Sequence, residues 1–197
     1  MLSPQRQTSL LLAAVAGLCW AAALALLLFG NLAAEREPLA LQRVLFYALI
    51  LAAPLLTFAP VERSLHLPGL TVEGVIGAFA LLYSLAFVPA PRAWLLALPE
   101  LPVYTLLLMA LFLCGAAVSR PLIHGVSVRL FRARARALDN RRVRRQSYEV
   151  GLLVAMVAAL AGLRVLTWIS LVLLVLALLI AELLFLSQVP AETADGQ

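Results

Sequence analysis

Three glutamates stand beside or inside apolar runs. Glu182 interrupts the run 168–188, Glu149 opens the run 148–166, and Glu73 lies near the start of the run 70–89. Ionisable groups inside a bilayer are costly, so they point to function by default. Ionised near a helix centre, Glu182 costs about 3 kcal/mol, and nine Leu and two Ile over 169–186, each contributing about 0.3 to 0.6 kcal/mol, offset that cost. If the last two runs turn back on each other near residue 167, antiparallel pairing sets Glu182 level with Leu152. That is about one helical turn deeper than Glu149. Two carboxylates at that spacing would bind a proton or a cation, the chemistry of a transport pathway. The competing role is structural, because Glu182 lies about two turns from the end of its run, within reach of Arg144 and Arg145. Glu73 follows Thr71 and is placed to stabilise a helix amino terminus or to partner Arg63.

The second feature is basic. Residues 120–145 hold nine arginines and one acid, Asp139. Such a cluster attracts an anionic leaflet by up to about 1 kcal/mol per residue. Arg129, Arg132, Arg134, Arg136, Arg141, Arg142, Arg144 and Arg145 are therefore the candidates for contact with anionic inner-leaflet lipid or a docking protein. The apolar residues Val126, Val128, Leu130, Phe131 and Leu138 either carry the fourth helix out of the membrane or lie along the surface as an amphipathic piece. No aromatic platform accompanies the arginines, so nucleic acid is not an expected partner.

The remaining inventory is thin. The chain has no lysine, which excludes a phosphate-loop lysine, a Schiff base and a Ser/Lys dyad. His66 and His124 stand without carboxylate or thiol at ligand spacing, and Cys19 and Cys114 sit singly in apolar runs. No HExxH, GxSxG or clustered Asp motif is present. No catalytic residue, metal or cofactor is expected.

The elements that must position these residues are membrane helices. Of 197 residues 64% are hydrophobic and 13% charged, with mean hydropathy +1.02, against about half and a quarter in a soluble domain. Six apolar runs, at 9–30, 41–59, 70–89, 101–118, 148–166 and 168–188, each match one bilayer crossing. They must be helical, since in hydrocarbon a segment has to satisfy its own backbone. The expected fold is all-α: one polytopic membrane domain over 1–197, with short loops, the basic loop 119–147 and an acidic tail at 190–197. Pro99 and Pro102 flank Glu100, so 93–99 reads as a short interfacial or re-entrant segment before the fourth helix.

Arginine placement sets the orientation. With six crossings, eleven arginines fall on the side of both termini and of loops 60–69 and 119–147, and only Arg36, Arg43, Arg92 and Arg164 fall on the other. The positive-inside rule then makes both termini cytoplasmic, in a cell inner membrane. Small residues recur every fourth position at Ala13, Gly17 and Ala21 and at Gly151, Ala155 and Ala159. Such stripes let helices approach closely, within the chain or between subunits. Two functions fit. One is a non-catalytic accessory or scaffold subunit of a membrane complex. The other is a small permease, or the membrane-embedded solute-binding component of a transporter, using the three carboxylates.

Overall fold

A computed structural model describes residues 4–32, 37, 39–89, 101–130 and 140–187. Among these residues the chain is all-helical, with six helices: α1 (Pro4–Phe29), α2 (Leu41–Leu65), α3 (Leu70–Phe87), α4 (Leu101–Leu130), α5 (Asn140–Gly162) and α6 (Trp168–Ser187). Four are long and apolar enough to cross a membrane, over Leu10–Phe29, Leu41–Leu65, Leu70–Phe87 and Leu101–Arg129. α5 and α6 fall short of that measure. α5 opens with the polar stretch Asn140 to Glu149, and the described apolar part of α6 covers Trp168–Leu184. The segment 93–99, the acidic tail, and Arg132, Arg134 and Arg136 lie outside the described residues.

The helix ends follow from local chemistry, with two departures from expectation. α2 does not stop at Pro60 but runs on to Leu65, with Pro54 and Pro60 inside it. Each proline lacks an N–H, and a packed membrane helix tolerates that gap. The connection to α3 is consequently only four residues. His66 takes a left-handed conformation (φ 53°) and Gly69 another (φ 86°), reversing the chain within the turn. Glu62 then accepts hydrogen bonds from the backbone N–H of Gly69 at 3.0 Å and of Thr71 at 2.6 Å, so a carboxylate from the preceding helix satisfies the first donors of α3. α4 also outruns its apolar stretch: it continues through Pro121 to Leu130, the first of the two fates expected for that segment.

The break between the last two helices covers residues 163–167, at the turn expected near residue 167. Arg164 is left-handed (φ 56°), and the Val165 N–H returns to the Leu160 carbonyl at 3.0 Å. Thr167 and Ser170 cap α6 reciprocally, backbone N–H to hydroxyl, at 2.8 and 3.2 Å.

Each helix packs chiefly on its neighbour in the chain, giving the row α1, α2, α3, α4, α5, with α6 leaning sparingly on α5. The closest approach is between α4 and α5. A Cβ at Gly151 would stand 2.5 Å from the Phe112 carbonyl oxygen and 3.0 Å from the Ala116 nitrogen, both rigid backbone. The α5 stripe thus serves packing within the chain. The α1 stripe does not: Ala13, Gly17 and Ala21 face outward, while Ala16 and Ala23 are the buried alanines of that helix. Trp20 decides this, because its indole N–H donates to the Thr57 hydroxyl of α2 at 3.0 Å and turns the 16/20/23 face inward.

Two apolar cores sit toward opposite ends of the helices. One joins Ala23, Leu32, Phe46, Ile50 and Leu82, flanked by stacked Phe79 and Tyr83 and by Phe87. There Arg43 donates twice to the Leu32 carbonyl, at 3.1 and 3.0 Å, and covers the Phe87 ring. The other joins Phe58, Leu67, Leu70, Ala117 and Val143. It lies beside the α2–α3 turn, the second half of α4 and the start of α5, which together form the basic end of the molecule.

Candidate functional site

The first turns of α5 organise the basic end. Residues 144 and 148 form one edge of the helix and 145 and 149 the adjacent edge, as four-residue spacing requires. Each edge carries an arginine and engages a glutamate from another helix.

On the first edge the Tyr148 hydroxyl donates to Glu73 Oε1 at 2.7 Å, and Arg144 Nε donates to the Tyr148 oxygen at 2.9 Å. Glu73 Oε2 faces Arg120 of α4 at 3.2 Å. Arg120 is the largest fully buried side chain, 1% exposed, and its other terminal nitrogen donates to the Pro68 carbonyl at 2.9 Å. Four elements meet in this cluster: the α2–α3 turn, α3, α4 and α5. Glu73 therefore has Arg120, Tyr148 and Arg144 as partners in place of the expected Arg63, and Glu62 takes the backbone-capping role at the start of α3. The reason lies in the extra length of α4, which brings Arg120 alongside the first turn of α3.

On the second edge Arg145 donates to Glu182 Oε1 at 2.8 Å and stands 3.7 Å from Glu149. Gln146 reaches the same Glu182 oxygen at 3.4 Å. Glu149 and Glu182 thus share Arg145 and line one cavity. Glu182 is level with residues 145–149 rather than with Leu152. The hairpin does not pivot on a single residue. α5 ends at Gly162 and α6 begins at Trp168, so Glu182, fourteen residues into α6, pairs with Tyr148, fourteen residues before the end of α5. Five connecting residues shift the register by one turn.

A cavity of about 330 Å³ opens beside this pair, between α4, α5 and α6. Gln146, Glu149 and Glu182 line it toward the basic end, and Leu153, Val175 and Leu178 line it farther along the helices. α6 packs only sparingly on α5.

Of the basic candidates, Arg144 pairs with Tyr148 and Glu73, and Arg145 with Glu149 and Glu182. Arg129 and Arg141 are exposed, and Arg142 is half-buried. Glu73 and the Glu149/Glu182 pair belong to separate clusters, joined only through α5. His124 is buried with Nδ1 lacking a partner, and exposed His66 offers its carbonyl to Asn140 at 3.1 Å. Among the described residues no group of three His, Cys, Asp or Glu could hold a metal ion. Buried Ser84, Ser119 and Ser147 donate to carbonyls of their own helices at 2.6, 3.1 and 2.7 Å, which is back-bonding and does not activate a nucleophile.

Sequence reasoning did not single out Arg120, Tyr148, Gln146 or Glu62. Arg120 carried a signal: it sits with Ser119 and Pro121 at the end of an apolar run, and continuing that helix turns it inward. Tyr148 and Gln146 carried none, since the carboxylates they meet are 75 and 36 positions away, whereas Glu62 stands only seven and nine residues before the N–H groups it accepts from. Comparison of the chain with protein-family models, with curated proteins and with solved structures returned no match.

Proposed function

We propose that this chain is a non-catalytic accessory or scaffold subunit of a membrane complex, crossing a cell inner membrane six times with its basic end in the cytoplasm. The observation that carries this reading is the pairing at that end: all three candidate carboxylates are held by arginines or hydroxyls of the same chain. Charges arranged this way hold α3, α4, α5 and α6 together. They leave an outward surface that is apolar along the helices and basic at Arg129 and Arg141. The outward stripe Ala13, Gly17 and Ala21 offers another membrane helix a close approach, and exposed arginines suit an anionic leaflet or an acidic cytoplasmic surface.

Mild-detergent purification from the native membrane tests this. A stoichiometric partner should co-purify, and Gly17→Leu, at a position with no neighbouring atom within 4 Å of a Cβ, should release it without unfolding the chain. Recovery of a lone monomer, with no partner after cross-linking in cells, would overturn the proposal.

A second reading, a small permease or the solute-binding part of a transporter, is favoured by one observation, the cavity capped by Glu149 and Glu182. Under that reading Glu182→Gln abolishes uptake at unchanged protein level.

A further inference from the structure

We propose that the cavity between α4, α5 and α6 is a binding site for an amphipathic organic monocation, an alkylammonium whose head sits between Glu149 and Glu182 and whose tail lies along Leu153, Val175 and Leu178. The proposal shares its location with the permease reading but requires no transport, so binding at equilibrium and uptake can fail independently.

Volume, polarity and charge lead to the same ligand. A space of about 330 Å³ falls at the lower end of the range of small-molecule sites, about 300–1,000 Å³. Its depth is aliphatic, and its polar groups are gathered at one end, which matches a molecule with one polar terminus. At that end two carboxyl groups share one guanidinium, Arg145. Glu182 Oε1 accepts from Arg145 and Gln146, whereas Glu182 Oε2 is buried and has no hydrogen-bond partner among the described residues. An ammonium head supplies N–H donors to that oxygen in a charge-assisted contact.

Alternative occupants fit less well. A divalent cation seeks six or more oxygen ligands in place of an aliphatic wall. A fatty acid or a phosphate headgroup would meet two carboxylates. A neutral lipid tail fills the depth but leaves Glu182 Oε2 as it is.

The experiment uses the full chain in zwitterionic lipid nanodiscs, titrated calorimetrically with decylammonium, decanol and decanoate, with empty nanodiscs subtracted. Decylammonium should bind saturably at one per chain, at least about tenfold more tightly than either tail-matched control, since a charge-assisted contact is at stake. Glu182→Gln should weaken it by about tenfold or more while leaving decanol unchanged. Equal affinity for decanol, undiminished affinity in a folded Glu182→Gln chain, or no saturable binding above empty nanodiscs would overturn the proposal. Should Glu182→Gln fail to fold, Leu178→Trp decides, since it fills the cavity and changes no charge. Lost decylammonium binding in that variant supports the site, and retained binding overturns it.

Discussion

Neutralising Glu73 tests the logic of the basic end most directly. Arg120 is 1% exposed and Glu73 16%, with 3.2 Å between guanidinium nitrogen and carboxylate oxygen. At an effective dielectric constant of about 20 that pair is worth about 5 kcal/mol in gross attraction. Glu73→Gln removes the charge but keeps an oxygen to accept from Tyr148. Part of the gross figure therefore survives as hydrogen bonding, and the expected loss is about 3 kcal/mol, the lower end for breaking a buried pair. Arg120→Met should cost less, because Glu73 retains Tyr148, Arg144 and some water, whereas Arg120 without Glu73 keeps only the Pro68 carbonyl. The double variant should be more stable than the sum of the singles by about 2 kcal/mol, since no uncompensated buried charge remains in it. Equilibrium unfolding in dodecyl maltoside and SDS mixed micelles, followed by tryptophan fluorescence, measures all four corners of the cycle. Glu73→Gln within about 0.5 kcal/mol of the parent, or strictly additive singles, would show that the buried contact does not hold this end together.

Three other outcomes follow from the packing and the turns. Gly151→Ala should destabilise by about 1–3 kcal/mol, because its Cβ meets the α4 backbone, whereas Gly17→Ala should stay within about 0.5 kcal/mol; the same unfolding assay ranks them, and a reversed order would refute the α4–α5 approach. Glu62→Ala should cost about 1–2 kcal/mol by leaving the Gly69 and Thr71 N–H groups unmatched, with faster amide hydrogen exchange confined to the start of α3 as the signature. With Cys19 and Cys114 replaced by Ala, single cysteines introduced at His66 and at Arg164 should label from opposite faces of the membrane, and labelling from one face would refute the orientation of the α5–α6 hairpin.

The apolar runs at 101–118 and 148–166 were plain in the residues, yet the helices built on them are α4 (Leu101–Leu130) and α5 (Asn140–Gly162). A hydropathy pattern marks where lipid must be met. It does not mark where a helix ends, because backbone hydrogen bonding continues through polar residues as readily as through apolar ones. The same distinction explains Glu73, whose helix-terminal position was readable but whose partner was not.

What the amino-acid order determines alone is the class of molecule and its polarity: sixty-four per cent apolar residues in spans of bilayer length, punctuated by proline and glycine, with arginines gathered toward one end. Those are additive properties of composition and spacing, summed along the chain. Which glutamate meets which arginine was decided only by tertiary structure. It depends on a one-turn register across the α5–α6 hairpin and on the approach of α4 to α5 at Gly151, and contacts between residues 37 and 47 positions apart, such as Arg145 with Glu182 and Glu73 with Arg120, leave no local trace in the sequence.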